Sequence, residues 1–187
     1  MRACTAPFEA YGLHETEPVT ERGGGLPSQP GPRLETMRPV TSRLTSRDYT
    51  LLEAHLWRLL DADCAPSDDR LLARLIRTKL ADATVVLSDD IEPSIATGNS
   101  RIRFSIDDRP AESRLLAHWS SQASVDSLLP IPTFVGVTVL GMAAGQRSPL
   151  LRADGSIGAV QLDAVTYQPE AERRAVRNGL YKERSHG

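Results

Sequence analysis

The hydrophobic positions of this chain switch between a helical and a strand period, and the switches mark out its elements. From Thr45, the residues Tyr49, Leu52, Leu56, Leu59 and Leu60 recur at helical spacing, which predicts an amphipathic helix. Thr45 with Asp48 three residues on has the form of a capping box at its start. The run Asp61-Ala62-Asp63-Cys64-Ala65-Pro66 breaks that helix, and Ser67 is the expected N-cap of a second one with the stripe Leu71, Leu72, Leu75, Ile76 and Leu80. Two amphipathic helices joined by so short a break pack as an antiparallel hairpin. At 1.5 Å per residue each arm is about 25 Å long.

Beyond the hairpin the period becomes two. Ile102, Phe104 and Ile106 face one way, Asp107-Asp108-Arg109-Pro110 turns the chain, and Leu115, Ala117 and Trp119 continue a second strand. After a polar loop, Pro130 and Pro132 fall where a third strand is expected. Proline donates no ladder hydrogen bond, so that strand is short, at an edge, or absent. Thr133 can cap a short helix that Gly141 ends in the left-handed conformation, and Asp154-Gly155 supplies a tight hairpin turn. In the closing strand Val160 and Leu162 share a face while Val165 and Tyr167 are one residue out of phase, which predicts a β-bulge. The fold class is therefore α+β: a short antiparallel helical hairpin, then a small twisted antiparallel sheet with one short helix.

Composition narrows the function. The 187 residues suffice for one core and an appendage. Residues 1–40 are dense in Pro, Gly and charge, including Gly23-Gly24-Gly25, and are expected to be disordered, as a natural tail or as a stretch preceding a true start at Met37. Lys and Arg number 22 against 24 Asp and Glu, a net charge of -2, which speaks against a dedicated nucleic-acid binder. Cys4 and Cys64 match no zinc or redox spacing, and His14, His55, His118 and His186 form no metal or catalytic motif. Neither a signal peptide nor a membrane-spanning run is present, so a cytoplasmic protein is expected. No cofactor or metal is expected, and no active site is legible.

Three ordered blocks carry a resemblance: Ala83-Thr84-Val85-Val86 at a helix end, Gly98-Asn99-Ser100-Arg101-Ile102-Arg103-Phe104, and the segment from Leu140-Gly141 to Gln168-Pro169-Glu170-Ala171. Together they resemble the C-terminal domain of the Gre-type bacterial transcription elongation factors. Within that family the chain is more similar to the branch called regulator of nucleoside diphosphate kinase, with its short arm. Composition and periodicity divide the chain into a disordered leader over 1–44, the hairpin over 45–86, a connector over 87–97 and a basic tail over 172–187, and the resemblance implies an FKBP-like domain over 98–171. It further implies a monomer that binds RNA polymerase, touches DNA or RNA only within that complex, and modulates elongation without being an enzyme.

The partner-binding residues so implied are Asn99, Ser100, Arg101, Phe134, Gly136, Gly141, Gln168, Pro169 and Glu170. Phe134 departs from the family, which usually has proline there. At the arm tip, Asp61, Asp63, Asp68 and Asp69 stand where transcript-cleavage members hold a metal with an acidic pair, since carboxylates suit a hard cation such as Mg²⁺. Acids in a first helical turn are equally explained by the helix dipole, and this segment lacks the cleavage factors' tip motif. Arg70, Arg74 and Arg77 form a basic stripe on the second helix, either solvated or steering a partner. The FKBP-like fold leaves a peptidyl-prolyl isomerase as an alternative, and the branch name leaves indirect control of nucleotide metabolism as another. Neither a G-x-G-x-x-G nor a P-loop occurs to support a direct nucleotide role.

Overall fold

Strand β1, Arg43–Thr45, leads directly into helix α1, Ser46–Leu60. In this computed structural model, which describes residues 41–61, 66–107, 109–119 and 127–184, the hydroxyl of Thr45 accepts the backbone N–H of Asp48 at 3.0 Å. The N-cap is the one its spacing predicts. The carboxylate of Asp48 does not return to the cap and is committed elsewhere.

Helix α2, Ser67–Asp82, follows. Ser67 is not its N-cap, contrary to expectation. Pro66 occupies that position with no side-chain cap, and Ser67 donates its hydroxyl to the Asp68 carboxylate inside the first turn. Proline fixes the extended entry to a helix through its φ, so a capping side chain is dispensable. Strand β2, Thr84–Val86, runs parallel to β1, with Arg43 opposite Thr84 and Thr45 opposite Val86. The two ends of the hairpin are thus tied together at its base. From there Leu44, Leu52, Leu72 and Ile76 enter the same core as the sheet residues.

That sheet has five strands in the order β5-β4-β3-β7-β6: β3 is Arg101–Ile106, β4 Glu112–Ala117, β5 Leu128–Pro130, β6 Arg147–Leu151 and β7 Ile157–Tyr167. It is mixed rather than wholly antiparallel, because β5 lies parallel to β4. Leu115 lies opposite Leu128 and Ala117 opposite Pro130, so β5 runs in the direction of its neighbour. As Pro130 demands, β5 is short and at the edge. The expected bulge is present: Phe104 pairs with Leu162 and Arg103 with Ala164, which leaves Asp163 extra.

Helix α3, Phe134–Val139, starts where Thr133 accepts the N–H of Gly136 at 3.0 Å. It stops at Gly141, whose φ is 78°. Ile102, Phe104, Leu116, Val137, Leu140, Val160 and Leu162 are all at most 1% exposed and form the centre of the core. A further helix, α4, Pro169–Arg184, replaces the basic tail expected from residue 172. Glu170 and Glu172 sit in its first turn, where the helix dipole favours them. Arg174 donates to the carbonyls of Ser88 and Ile91, and Arg177 pairs with Asp89, so the segment is anchored.

Candidate functional site

The turn 97–100, between the connector and β3, is where arm, sheet and α4 meet. Asp48 is 3% exposed on the first turn of α1, and its two carboxylate oxygens each accept the backbone N–H of Gly98 at 3.2 Å. A Cβ on Gly98 would lie 2.5 Å from Asp48 Oδ1 and 3.0 Å from the ring of His118, so only glycine allows this approach. Nε2 of His118, just beyond β4, lies 3.0 Å from the same carboxylate, and its Nδ1 lies 3.4 Å from Nε2 of His55. With His118 donating to Asp48 from Nε2, its Nδ1 is free to accept from the N–H of His55. Burial, then the neighbouring His118 and Arg58, push His55 down to about 4, so it is neutral near pH 7 and able to donate. The ring of Trp119 closes the chain of contacts, lying 4.9 Å from His55 between centroids, with the Arg58 guanidinium 4.1 Å from its own.

On the other side of the turn the pattern repeats with a different acid. Glu170 is 7% exposed; its Oε2 accepts the Thr97 hydroxyl at 2.7 Å, and its Oε1 accepts from Arg173 at 3.1 Å. Thr97 and Ser100 hydroxyls lie 2.9 Å apart. Gln168 donates to the carbonyls of Glu92 and Ile95, both at 2.8 Å, which fixes the connector against α4. Between the two acids opens a cleft of about 300 Å³, with Arg47, Asn99, Leu115, Trp119, Pro169 and Arg173 among its walls. Asn99 presents its side chain there from a left-handed backbone with φ 64°, a conformation asparagine tolerates better than most residues.

The implied partner-binding residues therefore divide. Asn99, Pro169 and Glu170 line the cleft, while Ser100 and Gln168 secure its walls. Arg101 begins β3 beside it. Phe134 and Gly136 lie on α3 instead, and Gly141 packs at the base of the arm, where a Cβ would meet the backbone of Arg43 at 2.8 Å. At the arm tip Asp61 and Asp68 are exposed, Asp69 is half-buried, and Asp63 lies outside the described residues. Arg70, Arg74 and Arg77 are all exposed on α2. Among the described residues, no group of three or more His, Cys, Asp and Glu is placed to hold a metal ion, and no helix is long and apolar enough to cross a membrane.

The sequence reading passes over Asp48, His55, His118 and Trp119 as a group. One signal points to them: Asp48 and His55 are seven residues apart, on one face of α1 with Leu52. A charged residue and an imidazole on an apolar stripe call for a buried partner.

No family model matches the chain, and no curated protein does. Among solved structures, the prokaryotic transcription elongation factor GreA/GreB from Nitrosomonas europaea is 26% identical, with a TM-score of 0.50, covering 68% of this chain and 100% of its own. GreA factor homolog 1 of Thermus thermophilus is 13% identical at a TM-score of 0.30 over 68% of this chain and 99% of that one. The Gfh1 of Thermus aquaticus is 16% identical at 0.32 over 67% and 97%. The last two likenesses are too loose to bear on function. The structural neighbours of this chain are Gre-type factors, and its α+β architecture is consistent with their C-terminal domain.

Proposed function

We propose that this protein modulates transcription elongation by binding RNA polymerase through its sheet domain, without stimulating transcript cleavage itself. The observation that carries the reading is the likeness to the Nitrosomonas europaea elongation factor over the whole of that factor's length. The finer assignment, to the regulator of nucleoside diphosphate kinase branch, draws support from the arm: α1 and α2 have 15 and 16 residues, which is about 22 to 24 Å of helix. On this reading so short an arm works near the channel entrance. Asn99, Pro169 and Glu170 around the cleft, with Phe134, Gly136 and Gly141 on and after α3, are the residues assigned to polymerase contact.

The base of the arm suits this role. Asp48, Gly98 and His118 fix its direction relative to the sheet, and Lys79 at the end of α2 donates to the Thr138 carbonyl of α3 at 2.9 Å. A rigid base lets the domain that binds also aim the arm. The isomerase alternative draws no comparable support, since Phe104 is buried in the core and Phe134 packs against it, which leaves few aromatic side chains to line an apolar pocket.

The test is affinity capture with the tagged full chain from native extract, followed by mass spectrometry. Polymerase subunits are expected in the captured fraction and should be lost on Asn99→Ala with Phe134→Ala. Their absence from the wild-type capture overturns the proposal.

A further inference from the structure

One face of the five-stranded sheet covers the core; on the other, Ala117 and Leu128 at the β4–β5 edge are buried, while the arginines of β3 and β6 are exposed. Alternation along β3 sends Ile102 and Phe104 inward, 0% and 1% exposed, and Arg101 and Arg103 outward to solvent. The register extends that outward face across the neighbouring strands. Arg101 lies between Leu115 and Tyr167, Arg103 between Ser113 and Ala164, and Ser105 beside Gln161, which in turn pairs with Arg147. Tyr167 is 45% exposed.

Three arginines, Arg101, Arg103 and Arg147, therefore step diagonally over a surface that carries the small residues Ser105, Ser113, Ala159 and Ala164 together with Leu115, Gln161 and Tyr167. None of the three forms an ion pair with an acid among the described residues. Of the acids on the neighbouring strands, Glu112 is taken up by Arg114, and Asp163 precedes Ala164, the register partner of Arg103, without an ion pair among the described residues. At the Arg101 end the face runs into the cleft, because Leu115, the register partner of Arg101, is also a cleft wall. Arg47, exposed and without an ion pair among the described residues, continues the positive charge there. Asp48 and Glu170, which also line the cleft, are already partnered by Gly98 and His118 and by Thr97 and Arg173.

We propose that this open face binds a single strand of nucleic acid, its phosphates on Arg101, Arg103 and Arg147 and a base stacked on Tyr167. The chemistry fits a polyanion: arginine offers a rigid fork of donors matched to phosphate. Residues two apart on a strand are separated by about 6.6 to 6.8 Å, which is close to the phosphate spacing of an extended single strand. The small side chains leave the sheet flat enough for a backbone to lie on. An aromatic ring beside the arginines supplies the stacking platform by which sheet surfaces hold unpaired bases. The net charge of -2 is no obstacle, since the cations concerned are concentrated on one face and the recognised groups are local. This inference does not rest on polymerase binding, and its test contains no polymerase, so either can fail alone.

The test is fluorescence anisotropy of the full chain with labelled oligouridine, oligothymidine and a duplex DNA, from about 50 to about 200 mM salt. Both single strands are expected to bind more tightly than the duplex. The triple variant Arg101→Ala, Arg103→Ala, Arg147→Ala should weaken single-strand binding at least tenfold and reduce the slope of log K against log salt by about 2, at about 0.7 per lost phosphate contact. Tyr167→Ala should weaken binding about fivefold or more and leave that slope unchanged. All four side chains are exposed, so both variants should melt like the parent, and the melting curve verifies it. Unchanged affinity in the triple variant overturns the proposal. So does equal binding of duplex DNA. Displacement of the oligouridine by polyglutamate at equal charge concentration would assign the face to an acidic protein surface and overturn it as well.

Discussion

The acids at the base of the arm and those at its tip make opposite use of the same side chain. Asp48 and Glu170 are 3% and 7% exposed, and between them accept from Gly98, His118, Thr97 and Arg173. Asp61 and Asp68 are exposed and Asp69 half-buried, with one short-range contact, from the Ser67 hydroxyl to Asp68. In the sequence the tip attracts attention because its acids cluster, whereas Asp48 passes as part of a capping box. A carboxylate withdrawn from water is costly unless donors meet it. The donors gathered around Asp48 and Glu170 therefore mark them as the organising acids, and clustering along the chain does not.

The largest expected effect follows from that cost. Asp48→Ala leaves the Gly98 N–H and the His118 Nε2 without an acceptor in a buried joint, and removing one partner of such a pair costs about 3 kcal/mol or more. Urea unfolding of the full chain should show this loss. Asp68→Ala at the tip should lower stability by no more than about 1 kcal/mol. Equal losses from the two substitutions would erase the distinction between base and tip.

A second, smaller effect distinguishes the base by pH. His55 has its folded value lowered from 6.5 to about 4 by burial and by His118 and Arg58. Between those values the unfolded chain binds a proton that the folded chain does not. The stabilisation is therefore complete above pH 6.5 and is lost as pH falls through 4. The exposed acids Asp89, Asp107 and Asp154, lowered from 3.8 chiefly by hydrogen bonds from Arg177, Ala159 and Ser156 respectively, act below that window. Melting temperatures between pH 7 and pH 4 should decline in the parent and decline less in His55→Gln. Parallel curves would show that the imidazole titrates as it does in water. Lys79, pushed down to about 7 by burial, acts in a separate range, adding stability as pH rises from 7 toward 10.5.

These contrasts explain what could be read from the chain alone. The hairpin, the alternation in β3, the Thr133 cap and the bulge after Leu162 are local patterns, set by residues a few positions apart. The parallel β5 depends on its pairing with β4, and α4 on carbonyls of Ser88 and Ile91 far away in sequence. The joint is less legible still, because Asp48 and His118 are 70 residues apart. Only the apolar setting of His55 and Asp48 on α1 hints at it. The implied site was half legible: Asn99, Pro169 and Glu170 do meet around one cleft, but Arg47 and Trp119, which complete its walls, belong to no motif.

The smallest expected effect is at the tip, and there its absence is informative. Asp68 and Asp69 occupy the first turn of α2, where a negative charge offsets the helix dipole at about 0.3 to 1 kcal/mol each and needs no metal to explain it. Asp61 follows the last turn of α1, and Asp63 lies outside the described residues. Replacing Asp61, Asp63, Asp68 and Asp69 together with Asn should leave affinity for polymerase within about twofold of the parent, because contact is assigned to the sheet domain. On stalled elongation complexes, neither parent nor variant should promote cleavage of the transcript. Both should instead slow a true cleavage factor by competing for the same entrance. A metal-dependent cleavage by the parent that disappears in the variant would reverse the comparison, making the exposed acids the functional ones and the buried acids only their support.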